Sequence, residues 1–269
     1  MHLHTAVRLS VVITAVTLLS GCGTLPGGKR WGADATMFPG WDRVGTAAYT
    51  SLVSPLTWGP VAGAGIVQIG NWDHKISRWA SDRTPVFGSR ENADNWSNYL
   101  LYTSGAVYAT TALLTPGGEQ KGEWITDKMK GFIVGGAALG LSEGVTEALK
   151  PATNRDRPDG DQHSFPSGHA TLAASFSTLA SKNIETMQLP KTAEIASDIG
   201  LGLLTGGTAW ARVEAKKHYP SDVLAGMAIG HFFSAFVNDA FLDLDMSRGV
   251  VPDAEISQKG FFVSVTGNF

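Results

Sequence analysis

Three short segments hold most of the polar residues that stand out from the apolar background of this chain. Lys150-Pro-Ala-Thr-Asn-Arg-Asp-Arg157-Pro158 puts two cations in a proline-bounded loop. Ser164-Phe-Pro-Ser167-Gly168-His169 stands immediately before an apolar run. Arg212-Val-Glu-Ala-Lys-Lys-His218-Tyr-Pro-Ser-Asp222 leads from the end of one apolar run to the start of the next. If the three meet, Lys150, Arg157 and Arg212 set three positive charges against a phosphate dianion. One unit-charge pair at ~4 Å is worth roughly 4 kcal/mol at an effective dielectric of about 20, before desolvation. Arginine adds two-pronged, directional hydrogen bonds to phosphate oxygens, which lysine cannot make. Ser167 and Gly168 fall at the predicted start of a helix, where free backbone N–H groups and the helix dipole attract anions, and Gly168 has no side chain to keep the backbone from a ligand. Such a set binds a phosphoryl group without calling for a metal or a cofactor.

The two histidines divide the labour of transfer. His218 precedes Asp222 by four residues. A carboxylate bonded to one ring nitrogen leaves the other deprotonated and aimed, which makes His218 the expected nucleophile on phosphorus, by way of a phosphohistidine. His169 is the expected general acid, giving a proton to the leaving alcohol and later taking one from water. An imidazole with its ordinary pKa of about 6.5 holds or releases that proton near neutrality.

In order and spacing, Lys150-x₆-Arg157-Pro158, Pro166-Ser167-Gly168-His169 and Arg212-x₅-His218-x₃-Asp222 resemble the three-part signature of the type 2 phosphatidic acid phosphatase superfamily, which includes lipid phosphatases, bacterial acid phosphatases and vanadium haloperoxidases. The resemblance implies that Lys150, Arg157, Ser167, Gly168 and Arg212 hold phosphate, that His169 is the acid, and that His218 and Asp222 form the nucleophilic pair. Two departures stand out. Ala211 precedes Arg212 where the family usually has Ser, which removes one possible hydroxyl contact. The gap between Pro158 and Pro166 is short for the family, which leaves little room for an insertion over the substrate.

The elements that must position these residues read as helices. Apolar segments of helical rather than alternating character lie near 44–70, 99–115, 124–149, 168–182, 195–212 and 222–242. Asp127 or Thr126 is a candidate cap for the third, Pro151 is expected to end it near Lys150, and Ser167 and Ser221 are candidate caps for the fourth and sixth. The fold class is therefore all-α, a bundle of about six core helices, with the catalytic domain drawn over 41–245 and a tail over 246–269. Phe261 to Val265 reads as a short strand in that tail. The segments near 44–70 and 99–115 are broken by Pro, Ser, Thr and Gly, and others carry charge such as Glu143, Glu147 and Asp198, so a bundle docked on a membrane is preferred to one that crosses it.

The ends and the composition narrow the setting. Residues 1–21 read as an export signal, with Arg8 followed by the apolar run Val11 to Leu19. Leu19-Ser20-Gly21-Cys22 resembles a bacterial lipobox, so Cys22, the chain's only cysteine, is the expected lipid anchor, with 22–40 as a tether and Gly23 directing the protein to the outer membrane, facing the periplasm. A net charge of -3 over 269 residues offers no basic field for nucleic acid. The expected partner is a phosphorylated lipid or another phosphoester, with the membrane held through Cys22. The same site would serve three alternatives: a nonspecific acid phosphatase for small soluble monoesters, a vanadium haloperoxidase, or a noncatalytic envelope lipoprotein. Bland readings stand beside the sharp ones: His163 as a solvated loop residue, His231 as a hydrogen-bonded core residue, Glu147 as a helical partner of Lys150, Lys216 and Lys217 as solvated surface, and the tryptophans as core rather than an interfacial belt.

Overall fold

The computed structural model describes residues 30–118, 120–187 and 189–242, with the backbone of 251–257 and 260–266. The export segment and Cys22 lie outside the described residues. Helix α1 (Trp41–Val53) gives way at Ser54, whose Oγ accepts the Leu56 N–H and caps α2 (Pro55–Gln68). Pro55 stands at the first position of α2, where a missing N–H leaves no bond unmade. A 3₁₀ turn over Ile69–Asn71, with Gly70 and Asn71 at positive φ, swings the chain into α3 (Trp72–Arg83). Four longer helices follow: α4 (Arg90–Leu114), α5 (Lys121–Thr153), α6 (Gly168–Glu185) and α7 (Lys191–Glu214). Helix α8 (Pro220–Phe241) closes the bundle, and β1 (Val251–Ser257) pairs antiparallel with β2 (Gly260–Thr266), Val251 opposite Thr266.

The all-α expectation holds for the bundle, and the six apolar segments correspond to the bent α1–α2 path, α4, α5, α6, α7 and α8. Several boundaries differ. Helix α4 begins nine residues before the apolar segment at 99, because Ser89 accepts the Asn92 N–H at 3.1 Å and caps it there. Helix α5 begins at Lys121, so neither Thr126 nor Asp127 caps it; Asp127 instead receives Arg30 Nε at 2.8 Å. Pro151 sits in the last turn of α5, which runs on to Thr153 and ends on Asn154 at positive φ. Helix α8 starts one residue before Ser221, and α3 was not foreseen.

Small residues bring the central helices together. A Cβ added at Gly226 or Gly230 of α8 would lie 2.5 Å from the Ser167 carbonyl oxygen or 2.2 Å from that of Thr171, so α8 packs on the first turns of α6 with backbone nearly on backbone. Serine and threonine fill the space between helices: Ser142 meets Ser175 at 3.0 Å and Thr146 meets Thr171 at 2.9 Å, all four buried. Large apolar side chains point outward, among them Ile125, Met129 and Ile133 of α5 and Ile195, Ile199 and Leu203 of α7. Small polar residues inside and aliphatic ones outside is the pattern of helices surrounded by lipid. By length and composition α5 and α8 can each cross a membrane, and α1 with Pro55–Arg83 passes the same test as a pair bent by 46°. The sequence alone favours docking, on the Pro, Ser, Thr and Gly that interrupt some segments and the charges, such as Glu143 and Glu147, that others carry. Trp41, Trp58, Trp72, Trp79 and Trp96 are exposed, so core packing accounts for few of the tryptophans; Trp31, at 1% exposure, is the clear core member.

Candidate active site

Helices α4, α6 and α8 all begin at the same end of the bundle, and α5 and α7 end there. Three positive helix N-termini therefore converge on one pole, together with Lys150 at the end of α5, Arg212 at the end of α7, Arg157 in the α5–α6 loop and His218 in the α7–α8 connection. Their proximity is felt in the histidines. Burial, then Arg212 and Arg157, hold His218 well below its ordinary pKa range, against an opposing hydrogen bond from Ser164. His169 is pushed down to about 4, first by burial and then by Arg212, with Lys150 and Arg157 acting the same way and Asp94 opposing. From the sequence alone His169 takes an imidazole's ordinary value; in the fold burial lowers both rings, and the cluster of cations that recommends the site lowers them further.

The arrangement around His218 differs from the expected dyad. The Asp222 carboxylate lies 3.9 Å from His218 Nδ1, too far for a hydrogen bond. Nδ1–H donates instead to the Ser164 carbonyl at 2.7 Å. Asp222 is otherwise engaged: Oδ2 accepts Ser164 Oγ–H at 2.5 Å and the Tyr219 N–H at 2.8 Å, and Oδ1 accepts Arg155 at 2.6 Å. Asp222 thus fixes Ser164, and the carbonyl of Ser164 fixes the imidazole. The outcome for the ring is the one a dyad would give. Nδ1 carries the proton and Nε2, with no protein partner among the described residues, holds a lone pair.

At the start of α6 the first-turn N–H groups of Gly168, His169 and Ala170 have no intrahelical acceptor, whereas the N–H of Ser167 is taken by the Asp222 carbonyl at 3.0 Å. Ser167 occupies the cap position, yet its hydroxyl makes no capping bond. That hydroxyl is buried without a partner, as are Arg157 Nε and Arg212 Nε. A buried donor left unbonded costs about 1–3 kcal/mol, and these three stand at one pole with Lys150 and the two histidines. A Cβ on Gly168 would come within 3.0 Å of Glu143 Oε1, which adds a neighbour to the reason for glycine there. Lys150 pairs with Glu147 one turn back, as the helical spacing predicts.

Several contributors came from outside the three segments. Arg212 is held by Asp94 and, at 3.2 Å, by Ser97, and His169 Nε2 meets Asn98 Oδ1 at 2.9 Å; all three partners are on the first turns of α4. Asp73 of α3 accepts Ser221 N–H at 2.8 Å and Arg155 at 2.6 Å, tying α3 to the start of α8, while Arg155 stacks 4.3 Å from the Tyr219 ring. Glu214, fully buried, accepts the N–H groups of Val86 and Phe87 and the Trp210 indole, which fastens the α3–α4 connection. The one sequence signal for the α4 set is spacing: positions 94, 97 and 98 share a helical face. Lys217 ties down the loop through Asp159 at 2.8 Å. His231 is a core residue bonded to Ser54 and Thr178, each at 2.9 Å, and His163 lies half-buried in the α5–α6 loop.

Comparisons with known proteins bear on the segment that carries these residues and on the fold. Residues 131–244 match the PAP2 superfamily, and that segment holds every candidate site residue named from the sequence except Cys22. The lipid A 1-phosphatase of Rhizobium johnstonii is 34% identical over 90 residues, a stretch covering 34% of this chain and 33% of that protein, so the match spans about a third of the relative's length. The fold is similar to that in the crystal structure of a transmembrane PAP2-type phosphatidylglycerolphosphate phosphatase from Bacillus subtilis, with a TM-score of 0.51 and 20% identity over 71% of this chain and 94% of that one. The three-part signature stands inside the matched segment, so the likeness of this chain to the PAP2 superfamily runs through residues 131–244, with a similar helical fold around them.

Proposed function

We propose that the protein is a metal-independent phosphatase acting on phosphorylated lipids or lipid pyrophosphates, through a phosphohistidine on His218. The observation that carries this reading is the set of three buried donors without partners, Ser167 Oγ, Arg157 Nε and Arg212 Nε, at the pole where His218 holds a free lone pair on Nε2. An oxyanion satisfies all three, and Lys150, Arg157 and Arg212 supply the opposing charge that a metal supplies elsewhere. In the first step Nε2 of His218 bonds to phosphorus while the bond to the leaving oxygen breaks, and His169 protonates that oxygen. In the second, water attacks the phosphohistidine, His169 takes the water's proton, phosphate departs and His218 is restored. The low pKa of free His169, set first by burial and then by Arg212 and its neighbouring cations, is compatible with these roles, because a bound dianion offsets the cationic part and favours a proton on the ring.

A lipid substrate is supported by the outward apolar faces of α5 and α7 and by two helices able to cross a bilayer. Both relatives are named for phosphatases of lipids. The lipid anchor at Cys22 and an outer-membrane address stand as further parts of this reading. The decisive experiment is phosphate release by the purified protein in EDTA, wild type beside His218→Ala, offered phosphatidic acid and p-nitrophenyl phosphate in parallel. Wild-type release with the lipid preferred, and none from His218→Ala, supports the reading. Substantial release by His218→Ala refutes the covalent step, equal or better use of the soluble ester points to a nonspecific acid phosphatase, and vanadate-dependent halide oxidation without hydrolysis points to a haloperoxidase.

A further inference from the structure

Asn98 lies on α4, outside the segment that matches the family, and its amide can point in only one sense. Its Nδ2 donates to the Asp94 carbonyl of its own helix at 3.1 Å, which turns Oδ1 toward His169 Nε2 at 2.9 Å. An amide oxygen only accepts, so Nε2 must carry a hydrogen. The opposite amide orientation would set its N–H₂ against the ring and its oxygen against a carbonyl oxygen, losing one bond and adding a repulsion. Neutral His169 is thereby locked as the Nε2–H tautomer, with its lone pair on Nδ1. We propose that Asn98 is a positioning residue that fixes the tautomer and plane of His169, so that Nδ1 is the nitrogen exchanging protons with the leaving oxygen and then with water.

The proton count closes on this assignment. With a phosphoester bound, Nδ1 takes up one proton and the ring becomes an imidazolium still donating from Nε2 to Asn98. Nδ1 gives that proton to the leaving oxygen as the phosphorus–oxygen bond breaks, and the ring returns to the neutral Nε2–H form. It then accepts a proton from the attacking water at Nδ1. Asn98 accepts a hydrogen bond in every state and never has to reorient. The charged groups around the ring are Arg212 from α7, Asp94 from α4, Lys150 and Glu143 from α5, and Arg157 and His218 from the loops.

This inference rests on the assignment of His169 as the acid, and the test separates the two. The full chain in detergent, as wild type, Asn98→Leu, Asn98→Asp and His169→Ala, is offered a long-chain alkyl phosphate, whose leaving oxygen needs a proton, and 2,4-dinitrophenyl phosphate, whose leaving oxygen does not. Acid catalysis contributes roughly 10²–10⁴-fold, so Asn98→Leu is expected to lower the ratio of alkyl to dinitrophenyl turnover on the order of tenfold. Asn98→Asp places a carboxylate on Nε2–H and should move the alkaline limb of the alkyl-phosphate profile to higher pH. In parallel, nitrogen NMR of histidine-labelled protein reads the tautomer directly and needs no turnover: Nε2–H in wild type, lost in Asn98→Leu. A protonated Nδ1 in the neutral wild-type ring, an Asn98→Leu loss equal for both esters, or an unmoved limb in Asn98→Asp overturns the proposal. If instead His169→Ala keeps the wild-type ratio, the acid assignment fails, and the positioning role in catalysis falls with it whatever tautomer is seen.

Discussion

The two poles of the bundle bury cations in opposite ways. At the pole remote from the site, Lys128 donates to the Ala112 carbonyl at 2.7 Å, to the Thr115 carbonyl at 2.6 Å and to the Thr115 hydroxyl, and it lies over the rings of Trp31 and Trp124. Nearby, Arg30 meets Asp127, and the Trp31 indole N–H meets Asn183 at 3.1 Å. Glycine makes the fit possible, since a Cβ on Gly131 would lie 2.1 Å from the Trp31 ring. Every donor of Lys128 has an acceptor, and the ammonium does the work of a cap on the end of α4. At the site pole, about 33 Å away along α5 by the rise of 1.5 Å per residue, Arg212 and Arg157 each keep an Nε without a partner, and Ser167 keeps a free hydroxyl. On the proposed reading, the contrast separates charge that holds the fold from charge that meets a phosphate. A saturated cation stabilises because its neighbours would be orphaned without it, whereas an unsaturated one is a local cost that only a bound anion offsets.

Removing one cation from each pole breaks the comparison most directly. Arg212→Met is expected to cost on the order of 10²–10³-fold in turnover, the range for one donor to a developing oxyanion. Thermal unfolding in detergent should move little, because the buried charge removed was only partly bonded. A large drop in unfolding temperature would show that Arg212 is chiefly structural. Lys128→Ala should do the reverse. It strands the Thr115 carbonyl and leaves that of Ala112 with the Thr115 hydroxyl alone, so about 1–3 kcal/mol of stability is expected to go, read as a lower unfolding temperature, with turnover per folded molecule close to wild type.

Within the site pole, Asp222 and Ser164 test the relay that replaced the expected dyad. Both act on His218 through one carbonyl, so Asp222→Asn and Ser164→Ala should each slow turnover while leaving phosphate affinity nearly intact. The double variant should be little worse than the worse single one, since residues in one network are not additive. Additive losses would mean that Asp222 acts on the imidazole by its own field, across the 3.9 Å gap.

The candidate site is legible in the sequence because the groups proposed to react lie in three contiguous stretches whose spacing is set by local chain geometry: a helix end, a helix start and a helix–loop–helix turn. The positioning groups were illegible for the opposite reason. Asp73, Asp94 and Asn98 sit 71 or more residues upstream of the groups they touch, on helix starts that read as ordinary solvated turns. Arg155 was in plain view between Lys150 and Arg157, but nothing in its spacing distinguished a buried three-way ion pair from a loop charge. The bundle was legible in its apolar segments. Its helix ends were not, because Ser89 extends α4 through a polar stretch and the last turn of α5 accommodates Pro151.

The smallest expected effect ties the unsaturated pole to pH. In the free protein the His169 pKa is about 4, below the value near 6.5 of an unfolded chain. As pH falls from about 6.5 toward 4 the unfolded chain takes up a proton that the folded site refuses, so His169 takes stability away across that window, and the full penalty is in place below it. His218, also depressed, acts in the same direction. Burial is the largest cause of the low value, and Arg212, Lys150 and Arg157 add to it; a bound dianion offsets the cationic part and so raises the His169 pKa. Phosphate binding above neutrality, where the ligand is already a dianion, should therefore draw a fraction of a proton from solution, read by calorimetry as a binding heat that changes with the ionisation heat of the buffer. The uptake should vanish in His169→Ala while binding survives. An uptake that persists without His169 would assign the linked proton to another group and remove the pole's cations as its cause. At the saturated pole Lys128 touches no ligand, so Lys128→Ala should leave the uptake unchanged even as it lowers the unfolding temperature.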